Sequence, residues 1–355
     1  MGPPQFLAGL LLLCFLGQCA ALSSTIDTVG ILQPGLFTHP RTPSAPMVGI
    51  IAGAAITFGR MIGQGHTPVF WAKLAFIATG LLLGASIWYV ARRLYGNAGG
   101  IAALLLYCFS PMAFVAVDVN PIPVAALGMF GVVFVSIAVS HTLYARPRGS
   151  IWGEIRQRWR RVAMLGIAIT LMVGSAPQLT FMVLVAFGFM LYLVPHRRVD
   201  AVGLMLAALA IGAAILLVIA GPRWFAQADF FPIHLWVLPH YRSWTGTTFV
   251  LVAIAVLAVV TYLLVPRSRY FGNSAPLLTV ALTSLFWTPA LRYSAVGMFP
   301  AWSLPLLFVF VGGIFADLLE TEWRRPAVVI FVVLAASLAT LELLTVAQHQ
   351  PLRPY

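Results

Sequence analysis

Long apolar runs separated by short polar segments make up most of this chain. About eleven of them are long enough to cross roughly 30 Å of hydrocarbon as a helix. They lie near residues 5–22, 70–91, 98–117, 121–143, 162–178, 179–195, 201–220, 246–265, 275–291, 297–316 and 326–346. The pattern therefore predicts a bundle of membrane-spanning helices.

Two of the predicted boundaries depend on short breaks inside longer apolar segments. The segment 162–195 is interrupted by Gly-Ser-Ala-Pro at 174–177, which predicts a tight turn between two helices. The segment 275–316 is divided by Arg292, Gly297 and Pro300.

Composition agrees with the pattern, since 61% of the residues are hydrophobic, 8% are charged and the mean hydropathy is +0.96. We predict an all-α polytopic membrane protein with one transmembrane domain over residues 1–355 and no soluble domain.

The first apolar run has two interpretations. An apolar stretch that ends in Gln18-Cys19-Ala20-Ala21 is typical of a signal peptide. The residues before it, Met1 to Gln5, carry no Lys or Arg, whereas a signal peptide normally begins with positive charge. We interpret the run as a first transmembrane helix.

The basic residues predict how the helices are oriented. With the N-terminus in the cytoplasm, the alternating loops place fourteen Lys and Arg residues inside and seven outside. Every cytoplasmic loop then holds at least two Arg residues, as the positive-inside rule requires. The C-terminus falls outside, and we expect a bacterial cytoplasmic (inner) membrane. The net charge of +12 is explained by topology and anionic lipid, not by nucleic acid.

Two predicted external loops are long. Residues 23–69 contain a weakly apolar stretch from Met47 to Ile62, which suits a helix lying on the outer membrane surface. Residues 221–245 are rich in Trp, Phe and Tyr, which settle at the level of the lipid headgroups. These loops and their neighbours are where chemistry outside the cytoplasm is expected.

Several kinds of site are poorly supported. The three cysteines, Cys14, Cys19 and Cys108, lie in apolar runs without CxxC spacing, so a zinc site or disulfide framework is not indicated. Walker P-loop, GxSxG and HExxH motifs are absent. A transporter would need polar residues along a path through the membrane, and the helices contain few.

Two aspartates are predicted at the outer face. Asp27 follows the first helix, and Asp118 lies where the third helix emerges. Two carboxylates at a membrane edge could serve as a general base for an incoming hydroxyl or help to hold a divalent cation. Alternatively each carboxylate only caps a helix, because Asp118 precedes Asn120-Pro121, a good helix start.

Basic residues share that face. Arg side chains bind phosphate through two parallel hydrogen bonds, and a lipid-linked phosphate lies at this depth. Alternatively, these residues simply contact lipid headgroups. The candidates for binding phosphate or lipid are His39, Arg41, Arg223, Arg242 and Arg292.

A resemblance follows from residues 88–118. The helix ending Arg92-Arg93-Leu94-Tyr95-Gly96, the Ala/Leu-rich helix closing with Ser110-Pro111 and the short loop with Asp118 resemble the GT-C membrane glycosyltransferases. The nearest branch looks like the protein O-mannosyltransferases and aminoarabinose transferases. Asp27 with the His39-Pro40-Arg41 segment is similar to that family's first external loop, and residues 160–195 are similar to its next hairpin.

The resemblance implies a function. Asp27 would be the catalytic base and Asp118 a second acidic residue, in some members with a divalent metal. Arg residues would hold the phosphate of a polyprenyl-phosphate sugar. The implied activity is transfer of a sugar from an undecaprenyl-phosphate donor to an acceptor hydroxyl outside the cytoplasm, with membrane lipids and possible complex subunits as partners.

A second hypothesis remains open. The chain departs from the family pattern at Thr28, where many members have a second acidic residue, and it has only nine acidic residues in total. On this hypothesis the protein is a catalytically inactive GT-C-derived subunit that acts as a structural or lipid-binding partner in a membrane complex.

Overall fold

The computed structural model describes residues 2–23, 45–64, 67–144, 151–228, 230, 246–285, 295–296 and 299–349. In these ranges the chain forms α1 (Pro3–Ser23), α2 (Pro46–Met61), α3 (Pro68–Cys108), α4 (Met112–Val117), α5 (Ile122–Tyr144), α6 (Ile151–Ser175), α7 (Phe181–Leu193), α8 (Arg198–Ala220), α9 (Pro222–Gln227), α10 (Gly246–Leu264), α11 (Phe271–Leu285), α12 (Leu304–Leu319) and α13 (Arg324–His349). A two-residue antiparallel pair, β1 (Ala295–Val296) and β2 (Phe299–Pro300), precedes α12. The all-α prediction is confirmed.

Within the described residues, six helices are long and apolar enough to cross a membrane, and three shorter apolar helices accompany them. The chain is therefore a multi-pass membrane protein. The two spans predicted at 70–91 and 98–117 are both helical and together make up α3. Gly96 divides α3 into two helices that fold back on each other, because the Tyr107 hydroxyl lies 2.7 Å from the carbonyl oxygen of Gly80. Gly96 has φ 76°, a left-handed conformation that a residue without Cβ adopts at little cost.

The predicted break at 174–177 is confirmed. Helix α6 ends at Ser175, Ala176 leaves the helical conformation and a 3₁₀ turn over Pro177–Thr180 leads into α7. The later boundary differs from the prediction, because α12 begins at Leu304 instead of near residue 297. Pro305 lies in the first turn of α12, where a missing N–H costs no helical hydrogen bond.

The chain divides into two compact units. The first comprises residues 1–33, 54–123 and 234–355, and the second comprises 34–53 and 124–233. In the first unit α12 is the central helix, since every residue from Leu304 to Ile314 is buried. It approaches α3 so closely that a Cβ on Gly312 would lie 2.6 Å from the carbonyl oxygen of Gly99. Small residues at such crossings let the backbones of membrane helices pack directly.

In the second unit α6 and α8 run parallel along a shared seam. Thr170 Oγ1 donates to the carbonyl oxygen of Gly212, at 3.3 Å. One turn earlier, a Cβ on Gly166 would lie 2.9 Å from the carbonyl oxygen of Ala208. The two helices therefore touch backbone to backbone along the middle of the seam.

Candidate functional site

The structure describes two of the seven predicted site residues, Asp118 and Arg223. The other five lie outside the described residues, and their placement stays a prediction: Asp27, His39, Arg41, Arg242 and Arg292.

Asp118 ends the short helix α4 in an extended conformation, with φ −93° and ψ 148°, and is half-buried. Its backbone carbonyl accepts from Asn120 N at 3.1 Å. The helix that follows is capped by another residue, because Ile122 N donates to Asn120 Oδ1 at 2.9 Å. The capping role considered for Asp118 therefore belongs to Asn120. Among the described residues, the Asp118 carboxylate has no hydrogen-bond or ion-pair partner and is free to act on a ligand.

Helix α4, which carries Asp118 at its end, packs on the C-terminal half of α1. Cys19 Sγ donates to the carbonyl oxygen of Ala113 at 3.9 Å. A Cβ on Gly80 would lie 2.9 Å from Ala116 Cβ, so α3 also closes on α4 here. Asp118 is thus attached to the half of α1 that leads into the loop containing Asp27.

Aromatic packing joins α1 to α3 in this region. Phe15 of α1 stacks on Tyr107 of α3, with ring centroids 5.1 Å apart. The Tyr107 hydroxyl donates to the carbonyl oxygen of Gly80 at 2.7 Å, and Tyr107 is fully buried. This hydrogen bond joins the two parts of α3 on either side of Gly96, and it supplies the partner that a buried Tyr hydroxyl needs.

Lys73 is a functional candidate that the sequence analysis missed. This lysine, the only one in the chain, is 7% exposed, and its Nζ donates to the carbonyl oxygen of Ser23 at 2.9 Å. Ser23 is the last residue of α1, four positions before Asp27. The ammonium therefore fixes the point where the chain enters the first loop. One sequence signal could have found it, since a single Lys inside an apolar helix is costly without a purpose.

Arg223 lies in the first turn of α9, in the second unit, and is exposed. The next residue, Trp224, is 2% exposed and makes edge-on contacts with Phe225 and Phe230, at centroid distances of 5.2 and 5.5 Å. The aromatic loop predicted at 221–245 thus begins as a packed aromatic cluster that directs Arg223 outward.

The other described acidic residues serve elsewhere. Asp200 pairs with Arg197 at 2.8 Å, and Glu320 pairs with Arg267. Asp317 accepts from Asn273 Nδ2 at 2.8 Å. Glu342 is 1% exposed, and its Oε1 has no hydrogen-bond partner within the described part of the chain.

The divalent metal stays a prediction. Within the described residues there is no group of three His, Cys, Asp or Glu side chains that could hold a metal ion. Asp118 by itself does not fit such an ion, so a metal would need ligands from the first external loop, such as Asp27.

Comparison with known proteins bears on the fold. No family model matches the chain, and no curated protein matches it. A solved structure that is similar is the oligosaccharyltransferase of Archaeoglobus fulgidus, tethered to an acceptor peptide with the NVT sequon. The TM-score is 0.56 at 9% identity, and the match covers 98% of this chain and 55% of that one. This chain thus spans about half the length of that enzyme, and what the two share is the fold of a polytopic helical membrane protein.

Proposed function

We propose that this protein is a GT-C-type glycosyltransferase. It would transfer a sugar from an undecaprenyl-phosphate donor to an acceptor hydroxyl at the extracytoplasmic face of the membrane. The observation that carries the proposal is the half-buried carboxylate of Asp118, which has no partner among the described residues and is held on the same half of α1 that leads to Asp27. The fold shared with an oligosaccharyltransferase supports it.

In the proposed reaction Asp27 takes the proton from the acceptor hydroxyl. The hydroxyl oxygen bonds to the anomeric carbon of the sugar as the bond from that carbon to the phosphate oxygen breaks, and undecaprenyl phosphate leaves. Guanidinium groups at the outer face, from Arg41, Arg223, Arg242 or Arg292 with His39 beside them, would stabilise the charge on the departing phosphate. Asp118 would orient the acceptor or the sugar through its free carboxylate oxygens.

Lys73 would act as a positioning residue. Its bond to the Ser23 carbonyl fixes the end of α1, and four further residues lead to Asp27. A base works only within hydrogen-bond reach of the proton that it takes, so a fixed chain entry favours catalysis.

The test is sugar transfer by the purified protein in lipid, with undecaprenyl-phosphate sugars of several kinds as donors. Asp27→Asn and Asp118→Asn should abolish transfer. Glu322→Gln removes an exposed carboxylate that is predicted on the cytoplasmic side, and it should leave transfer unchanged. Retained transfer in Asp27→Asn would overturn the assignment of the base.

The inactive-subunit hypothesis is kept because nine acidic residues are few for an enzyme of this size. It predicts that no donor is consumed, and that the protein co-purifies with other membrane proteins. Mass spectrometry of the lipid that co-purifies with the protein separates the two: a bound polyprenyl-phosphate sugar favours the enzyme.

A further inference from the structure

The seam between α6 and α8 ends in exposed basic residues where both helices begin. Its contacts join residues 42 positions apart, as Thr170 and Gly212 show. Four residues later along α6, a Cβ on Gly174 would meet Leu216 Cδ2 at 2.8 Å, in the same register. Extended back toward the start of both helices, this register places Arg156 level with Arg198.

Arg198 begins the stripe of α8 that faces α6. Positions three or four apart lie on one face of a helix, and the stripe continues from Arg198 through 201, 205, 208, 212 and 216. Ala201, Met205 and Ala208 are at most 2% exposed, whereas Arg198 is exposed. The stripe is therefore buried from residue 201 onward and exposed at Arg198.

The first turns of α6 carry exposed residues at the same end of the seam. Trp159 is 58% exposed, and the guanidinium of Arg160 lies 5.8 Å from the centre of its ring. Arg156 precedes Arg160 by one helical turn, so both lie on the same flank, and both are exposed. We call Arg156, Trp159, Arg160 and Arg198 the arginine wedge.

Neighbouring basic residues are engaged in holding the helices together. Arg158 Nη2 donates to the carbonyl oxygen of Thr142 at 2.9 Å, and Arg197 Nη1 donates to that of Leu143 at 3.0 Å. Arg197 also neutralises Asp200. In contrast, Arg156 and Arg198 have no hydrogen-bond or ion-pair partner among the described residues, so the charge of the wedge is available to a ligand.

We propose that the arginine wedge binds the headgroup phosphate of an anionic phospholipid. Guanidinium groups bind phosphate oxygens in pairs. Exposed Trp side chains settle at the boundary between hydrocarbon and water, so Trp159 places these charges at headgroup depth. Basic clusters at the ends of membrane helices at this depth suit anionic lipids, whose acyl chains would lie on the exposed apolar flank of α6 at Met164 and Ile167.

Native mass spectrometry of the purified full-length protein tests the proposal, with phosphatidylglycerol or phosphatidylcholine added in detergent. Phosphatidylglycerol should bind the native chain more tightly than phosphatidylcholine. The triple variant Arg156→Gln/Arg160→Gln/Arg198→Gln should weaken phosphatidylglycerol binding on the order of 100-fold. The matched control, Arg93→Gln/Arg324→Gln/Arg325→Gln, removes three exposed guanidinium groups elsewhere and should change binding less than about 3-fold.

Three outcomes would overturn the assignment. The first is equal weakening in both triple variants, which would mean general charge attraction. The second is equal binding of the two lipids by the native chain. The third is displacement of phosphatidylglycerol by an equal concentration of glycerol 3-phosphate, which would identify a soluble phosphate as the ligand. If the triple variant does not fold, Arg198→Gln alone should weaken binding about 5-fold, and unchanged binding in that variant contradicts the proposal.

Discussion

Lys73 Nζ lies 2.9 Å from the carbonyl oxygen of Ser23, which joins the start of α3 to the end of α1. Lys73→Met removes the donor and leaves the carbonyl of the half-buried Ser23, at the end of α1, without this partner. We expect a loss of about 1–3 kcal/mol in stability and a lower rate of sugar transfer. Thermal unfolding in detergent and a transfer assay measure the two effects. Lys73→Arg retains the charge and a donor, and it should recover most of both; transfer unchanged in Lys73→Met contradicts the positioning role.

Asp118→Asn should affect activity without affecting stability. The carboxylate has no partner among the described residues and helix α5 is capped by Asn120, so the amide replaces it without losing a hydrogen bond or an ion pair to them. We expect a stability change within about 0.5 kcal/mol and loss of transfer. A large drop in melting temperature would show that Asp118 has a structural role after all.

Asn120→Ala should have the opposite effect on stability. It removes the side chain that accepts from Ile122 N, and the loss of such a cap costs about 1 kcal/mol. Comparing its melting temperature with that of Asp118→Asn tests which of the two residues caps α5. Equal stability of Asn120→Ala and the native chain would count against the cap.

Asp200→Asn should destabilise the second unit. Arg197 and Asp200 form an ion pair whose side chains are 7% and 14% exposed. Asp200→Asn removes the ion-pair partner of the buried Arg197 guanidinium, which keeps its hydrogen bond to the Leu143 carbonyl, at a cost of about 3 kcal/mol. Chemical denaturation measures this loss. The exposed Glu322→Gln serves as the control and should unfold as the native chain does.

Gly313→Ala should destabilise the packing of α12 on α3 and α11. The added Cβ would lie 2.3 Å from Asn273 Oδ1 and 2.7 Å from Tyr95 Cζ, which cannot both move because Asn273 is held by Ser268 and Asp317. We expect a loss of about 1–3 kcal/mol. Gly188→Ala is the matched control, because nothing lies within 4 Å of its Cβ, and it should be neutral or stabilising. Similar melting temperatures for the two variants would contradict this packing.

Much of the fold follows from the apolar pattern. Runs of about twenty apolar residues have one stable form in hydrocarbon, so each predicted span contains a helix. The break at 174–177 was predicted correctly because Gly and Pro interrupt helices through their own backbone chemistry. The start of α12 was less predictable, since Gly297, Pro300 and Pro305 all lie near the boundary, and the pattern does not show which of them ends the irregular segment.

The candidate site was harder to predict. The sequence indicated Asp118 because it lies where a predicted helix leaves the membrane. It did not show that Asn120, and not Asp118, caps the next helix, because capping depends on local backbone geometry. Lys73 was counted only as a charge in an outer loop. Its contact joins residues 50 positions apart, and no periodicity within one helix reveals such a contact.

The enclosure of α12 has a consequence for biosynthesis. The second unit ends at residue 233, whereas the central helix of the first unit is translated only with residues 304–319. Until then the glycine face of α3 at Gly99 lacks its neighbour. The second unit is therefore synthesised in full early, whereas the first unit lacks its central helix until residues 304–319 have been translated. Nascent chains stopped before residue 304 should be degraded preferentially by membrane proteases.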